Sequence, residues 1–565
     1  MKKNLNKTVA LMTAMTVALS GCGNAGDSEQ VAKNDVASNQ NVTAEKSETS
    51  QTSAEGAEIS FPLAETAELS FITSAEPGTT QEPNERIIFQ RLEEATNVHI
   101  NWTCYVADQF ADKKNLALAN ASNLPDGLFT AGMSDYDLLR YADQGVIVAV
   151  DELIENHMPN LKKVLEDNPQ YKAMVTAPDG HIYSFPWIEQ LGSGKEAIQT
   201  IGGMPFINKR WLDELNLPVP ETTEELAAAL KAFKENDMAG DGQTIPMSFI
   251  INGGNEDMGF ILGAFGDGYG DVPDHIAVTN DKEVVYTAAL DGYKEGLMWM
   301  HELSEEGLID PEVYTQDYST YVSKGMAGRY GLCFTWDCAN VVDNKDDYVP
   351  LPALVGPDGQ KSAPRSSRSD TSGLDRGRCV LTSACENPAL AAAWLDLMYD
   401  PQQSAQNNWG TYGEEGKANI FEKAEDGMLK HLDLTGESLS PWEIRTTQMV
   451  GGPLAVLDSY YGTYVTCPDD AQYRLDWIKE VYVPDMKEEY VYPNVFMSQS
   501  DLDEINQYTT GLDSYVNRMK SEFILNGDIE ATWDTYLDTM EDYGLSKYME
   551  IMQRNLDTYY ENLGK

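Results

Sequence analysis

Positive charge is what this chain most lacks. Lys and Arg number 40 against 91 Asp and Glu in 565 residues, a formal net charge of −51. Such a deficit argues against a nucleic acid or an anionic lipid surface as partner, because both are bound through cations that replace counterions. Long apolar runs are missing as well: after residues 9–19 no stretch reaches the ~18 residues a membrane-spanning helix requires. Histidine is scarce, with six residues at 99, 157, 181, 275, 301 and 431, widely separated and forming no HExxH zinc motif. Gly192-Ser193-Gly194-Lys195 has the end of a phosphate loop, but Glu189 stands where its first glycine belongs and Glu196 where Ser or Thr must hold magnesium. No catalytic residues and no cofactor are therefore assigned. With so many acids, a glycosidase pair of carboxylates stays open as an alternative.

Cysteine is sparse too. The seven stand at 22, 104, 333, 338, 379, 385 and 467. Cys379 and Cys385 are spaced too widely for the common zinc knuckle; Cys333 and Cys338 just fit, but no histidine pair or second close cysteine pair accompanies them. No metal site follows, and free buried thiols are expected after Cys22, with disulfides left open. Between residue 23 and Phe61 there is no aromatic, only a stretch dominated by Ser, Thr, Ala, Asn, Gln and Glu. That composition cannot bury enough apolar surface to order itself, so 23–65 reads as a disordered tether spanning on the order of 35 Å.

Among the features present, residues 1–22 carry Lys2, Lys3 and Lys7, the apolar run and then Leu19-Ser20-Gly21-Cys22. This is the pattern of a lipoprotein signal peptide, with a plain secretory peptide and a coincidental cysteine as the alternative. Cys22 would then be lipidated and would tie the chain to the cell membrane at its extracellular face, each buried methylene adding about 0.8 kcal/mol. The remaining ~500 residues suit two domains. Their opening alternates strand, loop and helix: a strand at 69–72, a helix at 86–95, a strand at 98–105 and a helix at 109–120, as in an open, mostly parallel sheet. Ligands sit beyond the carboxyl ends of such strands, which makes the loops at 76–81 and 130–134 candidate rims. From His181 the chain crosses: Ile182, Tyr183 and Phe185 form a short strand that Pro186 halts, a helix follows around Trp211, and Thr222 with Glu225 three residues on has the spacing of a capping box.

Aromatic side chains are abundant, with 10 Trp and 29 Tyr. A sugar offers flat C–H faces ringed by hydroxyls, so a carbohydrate cleft pairs aromatic platforms with carboxylates or amides. Candidates are Trp187 with Glu189, Trp336 with Asp337, Trp409 with Tyr412 ahead of Glu414, and Trp442 with Tyr460 and Tyr461 near Asp458. Packing is the alternative for each. Trp211, Trp394 and Trp533 lie inside helical patterns and read as core.

The segments HIYSFPW…FINKRWLDELNLPVPETTEELAAAL, LPDGLF, YADQGVIVAVDELIENHMPNL, GLIDPEVYTQD, NPALAAAWLDLMYDPQQ, WGTYGEEG and EFILNGDIEATWDTYLDTMEDYGLSKYMEI follow one another in an order that resembles the extracellular solute-binding lipoproteins of bacterial ABC importers. The similarity is to their long oligosaccharide-binding subgroup of family 1 and covers 66–565. It implies an α/β, two-lobed periplasmic-binding-protein-like fold of type II, with discontinuous domains joined by a hinge. The expected partition is 66–187 for lobe 1, 188–346 for lobe 2, 347–405 for a return to lobe 1, and 406–565 for the rest of lobe 2 with C-terminal helices. The resemblance further implies capture of an oligosaccharide by hinge closure, delivery to ABC transporter permease subunits, and action as a monomer. A surface-anchored glycoside hydrolase is the alternative. Two departures stand out. Gly127 replaces the apolar residue usual after Pro-Asp, and the family's calcium-binding acidic loop is shortened here to Glu235, Asp237 and Asp241, too few carboxylates for the six to eight oxygens calcium takes.

Overall fold

In the computed structural model the described residues are 59–76, 79–120, 123–365, 373–434, 441–487 and 491–563, with the side chains of 441–443, 470 and 562 excepted. The signal peptide, Cys22 and the tether as far as residue 58 lie outside them.

Two mixed sheets organise the chain. The first is built from β1 (Ala67–Ala75), β2 (Val98–Val106), β3 (Gly127–Leu128), β4 (Phe185–Glu189), β9 (Leu374–Leu381) and β10 (Leu454–Val456), in the order β10-β4-β9-β3-β1-β2. The second contains β5 (Met204–Asn208), β6 (Ile245–Met247), β7 (Tyr330–Thr335) and β8 (Tyr348–Pro350), in the order β8-β5-β7-β6. β1 and β2 pair in parallel from Ala67 opposite Val98 to Ala75 opposite Val106. Parallel neighbours need a crossover, and the helix Ile87–Thr96 supplies it, ending where Asn97 turns left-handed at φ 57°.

Each sheet buries its own core. In the first, Phe71, Phe129 and Trp394 are packed together with Trp102, the Phe71 and Trp394 rings stacked at 5.9 Å. In the second, Trp211 meets Phe233 edge-on at 5.4 Å within a cluster that also takes in Phe334 and Trp533. Trp211, Trp394 and Trp533 are all buried, as their helical spacing implies. Thr222 caps the helix, its Oγ1 accepting from the Glu225 N–H at 3.0 Å, while Glu225 reaches one residue past the cap and accepts from the Glu221 N–H at 2.9 Å. At the other end of the chain, helices Gln499–Asn526, Ile529–Asp542 and Leu545–Asn562 pack on the second core, separated by Gly527 and Gly544 at φ 71° and 95°. Among the described residues no helix is long and apolar enough to cross a membrane.

Four expectations need correction. Pro186 does not halt a strand; it lies inside β4, whose pairing with β10 begins only at Trp187. On the other side β9 bulges between Asp375 and Cys379, so the missing N–H falls where no ladder bond is required. The return to the first lobe comes later than 347, since β8 still pairs with β5 and the chain re-enters the first sheet at β9. The described parts of 406–456, 406–434 and 441–456, belong to the first lobe as well: Phe421, Leu429 and Ile444 fill its core and β10 forms its edge. The first sheet is also less parallel than expected, because β9 runs antiparallel to both β3 and β4.

Candidate functional site

The first wall of the site grows from β4. Alternation along a strand puts Trp187 and Glu189 on one face while Ile188 turns into the core, fully buried. Asp375 of β9 stands opposite Trp187 in register. One turn of chain further on, Arg378 pairs with Asp375 at 2.9 Å and holds its guanidinium 5.7 Å from the centre of the Trp187 ring. Glu189 accepts a hydrogen bond from Asn408 Nδ2 at 2.7 Å and lies 3.7 Å from Arg445. Arg445 in turn stacks over Trp409 at 3.9 Å and donates to the Asn408 carbonyl at 3.0 Å.

Trp409 is thereby enclosed, with His431 edge-on to it at 5.4 Å. Burial pushes the His431 imidazole down to about 4, so it is neutral at physiological pH and packs as an aromatic. Burial likewise holds the Tyr461 hydroxyl well above its usual range, with Glu189 adding to the effect. Tyr460 sits in the first core, 9% exposed, with its ring 5.5 Å from that of Tyr464. Trp442 is outside the residues whose side chains are described.

The second wall is the end of β7. Trp336 follows Thr335, which pairs with Met204 at the start of β5. Arg474, from the helix Asp469–Trp477, lays its guanidinium 3.6 Å from the Trp336 ring centre. It also donates to the carbonyls of Trp336 at 2.5 Å, Ile198 at 3.1 Å and Gly202 at 2.7 Å, and to that of Ile201. Asp337 caps the short helix that follows, accepting from the Ala339 N–H at 2.9 Å. Beside Trp336, Thr335 Oγ1 donates to Glu256 at 3.3 Å. The turn carrying Glu256 is pressed so close to the chain that a Cβ on Gly203 would lie 1.7 Å from the Asn255 carbonyl oxygen, which makes glycine obligatory there.

Between the walls run the crossings. Residues 190–203 lead from β4 to β5, so Trp187 and Trp336 flank the two ends of one segment. Asp458 accepts from the Gly192 N–H at 2.8 Å, and Lys195 donates to the Met486 carbonyl at 3.1 Å. The described start of the second crossing, 351–365, is held by the same stretch: the Ala363 N–H donates to the Asp485 carbonyl at 3.1 Å, and Lys361 pairs with Asp485 at 2.8 Å. A third passage, 491–498, is gripped from β9 by buried Arg376, which bonds Asp135 at 2.8 Å and the Asn494 carbonyl at 2.8 Å and covers Phe496. The reading from sequence paired tryptophans with neighbouring acids. The structure pairs Trp187, Trp336 and Trp409 with arginines instead, and those arginines lie so far along the chain that no local pattern could have announced them.

The loop after Glu235 does not fit calcium. In a twelve-residue calcium loop opening at Asp237, the third and twelfth ligand positions fall on Ala239 and Ser248. Asp237 instead spends its oxygens internally, accepting from the Gly242 N–H at 2.7 Å and from Thr244 Oγ1 at 2.9 Å. Among the described residues no group of three or more His, Cys, Asp or Glu side chains is arranged to hold a metal ion, and Cys104, Cys333, Cys338, Cys379, Cys385 and Cys467 form no disulfide with one another.

Comparison with known proteins places this geometry. The profile of the bacterial extracellular solute-binding proteins matches residues 75–405. The fructooligosaccharide ABC transporter substrate-binding protein FusA of Streptococcus pneumoniae serotype 4 (strain ATCC BAA-334 / TIGR4) is 46% identical over 563 residues, 99% of each chain. The structure of FusA in complex with kestose superposes with a TM-score of 0.81 at 48% identity, over 88% of this chain and 100% of FusA. FusA has also been solved as an EF-hand mutant in complex with fructo-nystose, again with a TM-score of 0.81 at 48% identity. The polygalacturonan/rhamnogalacturonan-binding protein YtcQ of Bacillus subtilis (strain 168) is 27% identical over 290 residues, 50% of this chain and 54% of YtcQ.

Proposed function

This chain belongs to the bacterial extracellular solute-binding protein family, and from that premise we propose that it captures an oligosaccharide of the fructo-oligosaccharide class and hands it to an ABC transporter. One observation carries the reading: Trp187 and Trp336, each half-buried with a guanidinium near its ring, stand at the two ends of the crossing 190–203. A ring beside a cation with part of its surface free is suited to the C–H face of a sugar, while the carboxylates nearby receive hydroxyl hydrogens. Ligand held by both walls at once favours the closed arrangement, because only there are both sets of contacts made.

Trp187→Ala and Trp336→Ala are each expected to weaken binding of kestose by about 1–3 kcal/mol, the scale of a large apolar contact, while leaving the thermal unfolding profile near that of wild type. Calorimetry with small-angle scattering checks this. Equal affinity in all three proteins, with no fall in radius of gyration on binding, would overturn both the site and the closure.

The protein acts as a binder and not as a hydrolase, so reducing ends in the same kestose incubations are expected to stay constant; growth with time would favour the glycosidase alternative. It works as a monomer, held at the extracellular face of the cell membrane by lipidated Cys22 with 23–65 as tether. Cys22→Ser is expected to move the protein from the membrane fraction into the medium, and retention on membranes would overturn the anchor.

A further inference from the structure

The third passage, 491–498, sends its side chains into both cores. Tyr492 and Met497 are buried in the second core, where the Tyr492 hydroxyl donates to the Met552 carbonyl at 3.0 Å, and Val495 packs against the same cluster. Phe496 goes the other way. It is buried with Ile72, Leu128 and Val380, on the face of the first sheet turned away from Phe71. Phe496 and Met497, one peptide bond apart, are thus buried in different lobes. Arg376 fixes the first-lobe side. Only 4% exposed, it pairs with Asp135 at 2.8 Å, the first residue of the helix Asp135–Asp143. The same guanidinium donates to the Met174 carbonyl, to the carbonyls of Asn494 at 2.8 Å and Val495 at 3.3 Å, and to Asn494 Oδ1 at 2.5 Å. Its planar face lies 4.7 Å from the centre of the Phe496 ring. The residues on either side of Arg376 serve the first wall. Asp375 stands opposite Trp187, pairs with Arg378 at 2.9 Å and accepts from the Gly377 N–H at 3.0 Å. Gly377 has no room to shift: a Cβ there would lie 1.9 Å from the Met133 carbonyl oxygen, and the Met133 N–H donates to its carbonyl at 3.0 Å. The bulge of β9 therefore carries the charges of the wall and the clamp on the passage on consecutive residues.

We propose that Arg376 is a positioning residue for ligand capture: it clamps 494–496 to the first lobe, so that the lobes turn about the Phe496–Met497 peptide with the Trp187 wall held in fixed register to that pivot. The role rests on the closing mechanism proposed above, and Arg376 acts through the passage without touching the ligand. A planar guanidinium bonded along its whole fork has little freedom left, which a lysine in its place could not reproduce. With the clamp made, the ordering of the passage is met on folding and not on binding, and the competent arrangement of the two walls is more populated in the free protein. Without it the lobes sample wider openings, and each capture must order the passage again.

The test is small-angle scattering of the ligand-free full chain, with calorimetry on kestose, for wild type, Arg376→Lys and Asn494→Ala, each shown to be folded by thermal unfolding. Arg376→Lys keeps the charge for Asp135 but loses the fork, and is expected to enlarge the radius of gyration of the free protein and to weaken kestose about tenfold. Asn494→Ala removes one tie of the clamp and leaves Arg376 its pairing with Asp135. It is expected to shift both readouts the same way and less far, by about threefold in affinity, and it keeps the test decisive should the lysine variant not fold. A merely structural arginine would lower the thermal midpoint and leave radius and affinity at their wild-type values, and that result overturns the proposal. An enlarged radius at wild-type affinity overturns it too, since the clamp would then have no bearing on capture. Should wild type bind no neutral oligosaccharide, the oligosaccharide reading fails by itself and scattering alone judges the clamp: an unchanged radius overturns it and an enlarged one supports it.

Discussion

Replacing Lys520 by methionine is expected to lower the stability of the second lobe by about 3–5 kcal/mol, the cost of leaving buried carboxylates without their cation. Lys520 lies on the helix Gln499–Asn526 with a side chain only 3% exposed, and it bonds Asp257 at 2.8 Å and Asp271 at 3.1 Å. Asp271 is further held by His275 at 2.7 Å and by Thr287 Oγ1 at 2.9 Å. One ammonium thus fastens the C-terminal helices to the loop that carries Asn255 and Glu256. Burial by itself would push the Asp271 carboxyl up, but His275 and Lys520 outweigh it and hold the group well below the usual carboxylate range. For Lys520 burial acts to lower, and the two aspartates outweigh it and hold the group above the usual lysine range.

The signs fix the pH window. A depressed acid contributes stability that is present above its unfolded value of ~3.9 and lost only as pH falls through its lower folded value. A raised lysine contributes stability that is complete below ~10.4 and lost only as pH rises through its higher folded value. These two groups therefore add almost no slope to stability between about pH 5 and pH 9. Urea unfolding monitors the loss as a fall in midpoint at unchanged slope. Adding Asp257→Asn and Asp271→Asn to Lys520→Met is expected to restore much of it, since removing all the charges removes the unpaired ones. A single variant with an unchanged midpoint would show that the network is not what fastens the helices.

Arg474→Met is expected to cost both stability and binding, in contrast with Trp336→Ala, which costs binding. The guanidinium satisfies the carbonyls of Ile198, Ile201, Gly202 and Trp336 and packs on the Trp336 ring at 3.6 Å. A buried acceptor left unmade costs about 1–3 kcal/mol. Even with water replacing some of those bonds, the loss is expected to reach about 3 kcal/mol. Without its backing cation the Trp336 ring is free to leave its position, and the crossing 190–202 loses its anchor to the second wall. Kestose affinity measured at a temperature where the variant is folded is expected to fall at least tenfold, about 1.4 kcal/mol. Wild-type affinity in a destabilised Arg474→Met would confine the arginine to a role in folding.

How far the chain could be read without its fold varies from place to place. The Thr222 cap and the strand–helix–strand opening of the first lobe are written in residues close together in the chain, and they appear where the sequence puts them. The family is written in the order of such segments, and the profile match over 75–405 agrees with that order. Trp187 and Trp336 were legible as candidates because they sit beside the crossings. Their chemical setting was not. The ring of Trp336 answers to Arg474, 138 positions away in the chain, and Glu189 to Asn408, 219 positions away. The assignment of 406–456 to the first lobe likewise waited on β10 pairing with β4.

Local chemistry, capping, periodicity and turn preference, acts between residues a few positions apart, and the sequence by itself determined the elements and the family from it. The tertiary structure alone decided which acids acquire a cation, as Asp375 does from Arg378, and which aromatics become core, as Tyr460 does. Those outcomes depend on desolvation and on contacts between distant segments, and neither exists until the chain has folded.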